Sequence, residues 1–398
     1  MTDQKMLTKL FILFNGLTIS GIALFSPILY IFLIQMGYSY TEVGIYLSVF
    51  WGTSAICELP AGILADTIGQ KKIVVYSCLI RALGLLLMTT NNFVLLISSS
   101  LFTGIAEAML SGSLSSWYMN QLVDKNNVKL DNVFSKASFF SACSSLVIGF
   151  ISAQYLFKIN TFSPIILSVC FFIALSYITY KYLPEKNRSI ERKINNSVKK
   201  IEFQWFNNFK ALFEIFYSNK LLIFILLILV IPSILDIGPS NQWQIVFSDQ
   251  LGYMWIAISL IGILTNLIIP KLPRLGDGIK EIVIYILIDM LILFLVTYTN
   301  WSLIFFIIHI MIFTITSVRL TVFMHQKLIN SDHLRSSFIS TFYTVEAFAT
   351  MMLLPLNGFT TQIYDVFYTW NIFILISAFL LFFCIIIIFK NRKSNIFD

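Results

Sequence analysis

The stretch Glu58 to Lys72, ELPAGILADTIGQKK, carries an apolar helix into a proline, two glycines, an acid and a basic pair. Apolar sequence lies on both sides of it, so it reads as the short polar turn between two membrane helices. Composition sets the same frame. The chain has 398 residues, 58% of them hydrophobic and only 12% charged, with a mean hydropathy of +0.83, far from the balance of a water-soluble protein. The apolar runs are continuous and do not alternate, which argues against a β-barrel.

A hydrocarbon core about 30 Å thick needs about 20 apolar residues per helix. Twelve spans are expected, at 7–35, 41–63, 72–90, 93–118, 132–156, 161–183, 220–246, 253–271, 281–298, 301–325, 334–357 and 366–389. The first is too long for a signal-peptide core and lacks a small-residue cleavage site, so it is expected to stay in the mature protein. With both ends placed in the cytoplasm, only Lys158 of the 27 basic residues falls in an external loop; Arg81 and Arg319 lie deep within spans, and the other 24 sit on the cytoplasmic side or at its border. This is the bias of the positive-inside rule, and it makes the net charge of +7 a matter of topology, not of nucleic-acid binding. Cys57, Cys78, Cys143, Cys170 and Cys384 all fall inside spans without a Cys-x-x-Cys pair, as small core residues do.

The polar connection 184–219 divides the chain into an N-terminal half, 1–183, and a C-terminal half, 220–398. Within it Phe203, Trp205, Phe206, Phe209, Leu212 and Phe213 leave two readings open. One is an amphipathic helix on the inner membrane surface; the other is a solvated linker whose aromatics cover the bundle. Gly37 and Tyr38 before the second span are echoed by Gly252 and Tyr253 before the eighth. The 58–72 turn is echoed by 272–276, without the aspartate, as a weak internal repeat.

Gly62, Leu64, Asp66, Gly69 and Lys71 are spaced as in the signature loop between helices 2 and 3 of the major facilitator superfamily, and the chain resembles a secondary transporter of that family. The resemblance implies an all-α membrane protein of twelve transmembrane helices in two six-helix halves that rock about a midplane site. It also implies that Gly62, Asp66, Gly69, Lys71 and Lys72 form a conformational-switch loop. Thr67 and Gln70 stand where the family pattern has arginines, which weakens the charge network expected around Asp66.

Ionisable side chains are costly inside hydrocarbon, so each one is a functional candidate. They are Glu58, Arg81, Glu107, Asp236, Asp289, His309, Arg319 and Glu346. Glu58 lies about 12 Å along its helix from Asp66, and Arg81 about 13 Å from Lys72, on antiparallel neighbours, so the two are expected to form a structural ion pair. Gly104, Glu107, Ser111, Ser115 and Tyr118 recur at spacings of three and four, a polar stripe read as a cavity face because close packing alone requires no carboxylate. Asn15 in the first span is counted with that cavity. Asp236 lies between Pro232 and Pro239, which either bend span 7 as an external gate or simply kink it. Arg319 and Glu346 have matching depths and are expected to meet. Arg319 shares a face with His309 and Thr316, and either binds an anionic substrate or sits in a static pair. Asp289 is read as structural, and His309, which packing alone could explain, ranks below the acids.

A carboxylate in a dry cavity holds its proton and releases it when the cavity wets or a cation approaches. Glu107, then Asp236, then Glu346 are the proton-coupling candidates. No Gly-x-x-x-x-Gly-Lys-Ser/Thr loop is present, so an ion gradient is the expected drive. The expected function is proton-coupled efflux of an antibiotic-like, toxin-like or peptide-like solute across a bacterial cytoplasmic membrane, by a monomer with both ends inside. Uptake of a small metabolite is the second reading. Span 5, with Gly149 amid serines, lacks the glycine pattern of the family's drug/proton antiporters. His309, His325 and His333 form no zinc motif and no Gly-x-Ser-x-Gly elbow occurs, so neither an enzyme nor a cofactor or metal is expected. The expected partners are a small-molecule or peptide substrate, protons and the lipid bilayer.

Overall fold

A computed structural model describes residues 4–122, 129–184, 221–276, 278–326 and 332–390. Among them the chain is helical throughout, with no strand. The helices are α1 Gln4–Gln35, α2 Tyr40–Ile68, α3 Gln70–Met88, α4 Phe93–Gln121, α5 Leu130–Ile159 and α6 Ser163–Tyr182. After the connection come α7 Leu221–Val246, α8 Ser248–Lys271, α9 Ile279–Tyr298, α10 Ser302–Gln326, α11 Asp332–Ile363 and α12 Val366–Lys390. Among the described residues nine of these are long and apolar enough to cross a membrane by themselves. The other three, α3, α9 and α11, each carry charged side chains within an otherwise apolar sequence. The 202–216 segment lies outside the described residues.

Local sequence sets the helix ends. Ser39 and Glu42 form a reciprocal capping box that starts α2, the Ser39 hydroxyl accepting from the Glu42 N–H at 3.2 Å and the Ser39 N–H donating to Glu42 Oε2 at 2.8 Å. Asn92 Oδ1 accepts from the N–H groups of Val94 and Leu95 and starts α4 in the same way. Helix α4 is broken inside the bundle. Its first part ends at Leu110 and its second starts at Ser113, with Gly112 at φ +70° between them. A left-handed residue cannot continue an α-helix, and glycine adopts that conformation without a Cβ clash. Helix α7, in contrast, continues from Leu221 to Val246 past both Pro232 and Pro239, each of which lacks the N–H for one backbone hydrogen bond.

The described chain divides into two compact units. The first comprises the described residues up to 184 with Phe247–Ile256, the second the described residues of 221–246 and 257–390. This differs from the sequence expectation in placing the start of α8 with the first unit. There Trp255 Nε1 donates to the Ser145 carbonyl at 2.9 Å. In the first unit α4 packs against both α2 and α3, α1 lies along α5 and α3 along α6. In the second, α9 lies along α10, and α7 against α11 and α12. The third and fourth helices of each unit are therefore intimate neighbours, and this decides which charges meet.

Candidate functional site

In the first unit Arg81 on α3 is buried, and its Nη2 donates to Glu107 Oε2 on α4 at 2.5 Å. The guanidinium also lies over the Phe172 ring, 5.5 Å from its centroid. The Glu58–Arg81 pair expected from depth does not form. Helix α3 packs along α4 and touches α2 little, and side chains tilt toward their helix N-termini, so on antiparallel helices Arg81 and Glu107 lean toward each other. Glu58 is exposed and accepts instead from Ser111 Oγ at 3.4 Å.

The α4 stripe is also corrected. The break at Ser111 and Gly112 ends the three-and-four spacing, so residues beyond it turn elsewhere. Tyr118 is fully buried, stacked on Phe11 at 4.7 Å with its hydroxyl 2.9 Å from Thr8 Oγ1. Gly104 lies against the Phe50 carbonyl, where a Cβ would stand at 2.7 Å, as a packing residue. Ser111 is exposed, while Ser115 and Asn15 are half-buried.

In the switch loop α2 and α3 are separated by Gly69 alone, at φ +101°. Asp66 is exposed and accepts from Gln70 Nε2 at 3.5 Å. Lys71 sits over the Tyr180 ring at 5.4 Å. Gly62 has open space where a Cβ would stand; Lys72, at the start of α3, is exposed.

The second unit holds the densest polar chemistry. From Ile228 to Ser240, α7 is buried at every position except Ser233, Asp236 and Ser240, which share one face of the helix. Each is polar. Ser233 donates to Glu346 Oε1 on α11. Asp236 Oδ1 lies 3.2 Å from His309 Nε2 on α10, and His309 Nδ1 lies 2.7 Å from Asp289 Oδ1 on α9. The His309 side chain is 1% exposed and Asp289 4%, whereas Asp236 is 20% exposed.

Arg319 does not reach Glu346. It pairs with Glu281 at 3.5 Å and donates to the Leu272 carbonyl at 3.0 Å, because α10 packs along α9 and barely touches α11. Thr316 is 2% exposed and returns its hydroxyl to the Ile312 carbonyl, so it lines no accessible face. Glu281, Ser233 and the role of Asp289 escaped sequence reasoning. The signal was there for Asp289. It lies about 13 Å from the end of α9 and His309 about 11 Å from the start of α10, equal depths on either side of a short turn.

This is a multi-pass, all-helical membrane protein of two helical units, with buried charge pairs joining the third and fourth helices of each. The chain belongs to the Major Facilitator Superfamily, whose model matches residues 11–328. It is 22% identical over 259 residues to the uncharacterized MFS-type transporter YxaM of Bacillus subtilis (strain 168), covering 62% of each chain. It is 26% identical over 317 residues to the uncharacterized transporter BU466 of Buchnera aphidicola subsp. Acyrthosiphon pisum (strain APS), covering 76% of each. The match thus spans about three fifths of the first relative and three quarters of the second. Among solved structures, the nucleoside transporter NupG superposes with a TM-score of 0.76 at 15% identity, covering 95% of this chain and 98% of that one. A POT family transporter in complex with a thioalcohol-conjugated peptide gives 0.63 at 13% identity, covering 98% and 96%. At these identities the likeness is one of fold.

Proposed function

We propose that the chain is a secondary active transporter that exports an amine-bearing or otherwise cationic solute, antibiotic-like, toxin-like or peptide-like, in exchange for protons. It works as a monomer in a bacterial cytoplasmic membrane with both ends inside. One observation carries the reading. Of the ionisable residues deep in the spans, the accessible ones are all carboxylates: Glu58, Glu107, Asp236 and Glu346. The cations Arg81, His309 and Arg319 have side chains only 2%, 1% and 11% exposed, each against a carboxylate. Accessible negative charge in a low-dielectric setting attracts cations, protons included, and repels anions. An anion site at Arg319 is correspondingly disfavoured.

The proton-coupling acid is Asp236 in this reading, since Glu107 is engaged by a buried guanidinium. Glu346, with its serine partner, comes second. Export is the direction that the 58–72 loop, the twelve-span plan and the aromatic load of 38 Phe, 17 Tyr and 7 Trp together favour.

The test is efflux of a compound panel, cationic members included, from cells lacking their own pumps, with Asp236→Asn and with the proton gradient collapsed. Loss of efflux in both supports the reading. Efflux lost in Glu346→Gln but kept in Asp236→Asn moves the coupling acid, and gradient-driven accumulation of a nutrient instead reverses the direction.

A further inference from the structure

His309 is flanked by carboxylate oxygens on both ring nitrogens, Asp289 Oδ1 at 2.7 Å from Nδ1 and Asp236 Oδ1 at 3.2 Å from Nε2. A neutral imidazole has one N–H and one lone pair. With both carboxylates ionised, in either tautomer that lone pair would face a carboxylate oxygen, two acceptors in contact within a buried site. Only the imidazolium donates to both sides, and it also supplies the partner that a buried Asp289 needs. With His309 charged and both carboxylates ionised, the cluster carries one net negative charge.

The three members differ in access. Asp289 and His309 are closed off, while Asp236 keeps part of its side chain on the polar face of α7, between Ser233 and Ser240. Among the described residues the ionisable groups in contact with the imidazole are Asp289 from α9 and Asp236 from α7; Glu346 on α11 is turned to Ser233, about one turn along α7 from Asp236. On α10 itself the ring's neighbours are Phe306 and Phe313, at 6.0 and 6.2 Å between centroids. Arg319, ten residues on, is held by Glu281.

We infer that Asp289 and His309 form a permanently charged mount for Asp236, which alone exchanges a single proton with water. Asp289 is a positioning residue that keeps His309 doubly protonated, and His309 holds one Asp236 oxygen through its Nε2–H. When a proton arrives, an O–H bond forms on the free Asp236 oxygen at the expense of a hydronium O–H, and the cluster becomes neutral. When it leaves, the bond breaks, the electron pair stays on the carboxylate and the proton returns to water. His309 keeps both of its protons throughout. This deepens the proposed function and rests on it for the word coupling, but the protonation states are properties of the protein alone.

They can be read without a substrate. The chain has three histidines, His309, His325 and His333, so nitrogen-15 histidine labelling of the full chain in lipid nanodiscs gives few ring signals, and His309→Gln assigns the one of interest. The expected result is a His309 ring that carries a proton on both nitrogens at neutral pH. Asp289→Asn returns it to a single-proton tautomer, and Asp289→Glu restores the charged ring. If Asp289→Asn does not fold, the wild-type pH series decides alone. Infrared difference spectra after a pH jump should include, among the carboxyl bands, one that Asp236→Asn removes. A neutral His309 in the wild type overturns the inference, as does a set of carboxyl bands that Asp236→Asn leaves unchanged. If these spectra come out as expected and transport still ignores the proton gradient, the proposed function fails and the charged mount stands.

Discussion

Arg81 and Glu107 are joined by a 2.5 Å contact between neighbouring helices, with the Arg81 side chain 2% exposed and that of Glu107 36% exposed. The asymmetry decides what each residue does. Removing Glu107 strands a guanidinium in the bundle, which in buried pairs costs about 3–5 kcal/mol. Partial hydration of the site puts this case at the lower end, about 3 kcal/mol. Glu107→Ala should therefore lower stability by that amount in detergent denaturation, while Arg81→Met combined with Glu107→Leu should recover most of it. A Glu107→Ala protein as stable as the wild type would show that the pair does not hold α3 to α4.

Gly238 meets the indole of Trp370, where an added Cβ would stand 2.5 Å from Cδ1. The ring cannot swing away without loss, because Trp370 Nε1 donates to Gln242 Oε1 at 2.8 Å and Gln242 Nε2 donates to Thr361 Oγ1 at 2.8 Å. These bonds tie α7 to α12 and α11. Gly238→Ala should cost about 1–3 kcal/mol from overpacking, and Trp370→Leu in the same chain should relieve the clash while exposing the cost of the lost hydrogen bond. Thermal unfolding of the two variants separates these effects. Equal melting points for Gly238→Ala and the wild type would mean that α7 shifts freely against α12.

Arg319 reaches Glu281 at 3.5 Å and the Leu272 carbonyl at 3.0 Å with different nitrogens of one guanidinium. It fixes the stretch after α8 to the start of α9. A lysine offers a single ammonium on a flexible stem and cannot hold both partners in that geometry. Arg319→Lys should lose about 1–3 kcal/mol, the scale of a charged hydrogen bond left unmade, and limited proteolysis should cut sooner near 272–278. Transport of anions and cations should fall together in this variant. Selective loss of an anionic solute would instead make Arg319 a substrate ligand.

The helical plan was legible because continuous apolar runs allow few other outcomes in a membrane, and each expected span overlaps one helix. The eight intramembrane charges were legible for the same reason, through their cost. Their partners were not. Pairing by depth assumes that helices adjacent in sequence are the closest neighbours, and α2 with α3 and α10 with α11 break that assumption. It holds for α9 and α10, where Asp289 and His309 do meet. The α4 stripe failed for another reason. Gly112 at φ +70° interrupts the helix, and a periodicity argument carries no information across such a break.

Tyr118 and Thr316 test the corrected site directly. Both are polar residues within spans that spacing assigned to a cavity, yet Tyr118 is 0% and Thr316 2% exposed. Their hydroxyls are satisfied locally, Tyr118 with Thr8 and Thr316 with the Ile312 carbonyl. Tyr118→Phe removes one hydrogen bond and keeps the stack on Phe11, a loss of about 1 kcal/mol in stability. Thr316→Val trades a back-bonded hydroxyl for a methyl and should cost no more. Neither should change substrate range or the affinity measured in transport, whereas Asp236→Asn on the open face of α7 should abolish transport with little loss of fold. A substrate-selective defect in Tyr118→Phe would return that residue to the transport path, and would mean that the side chain leaves its Phe11 stack during the cycle.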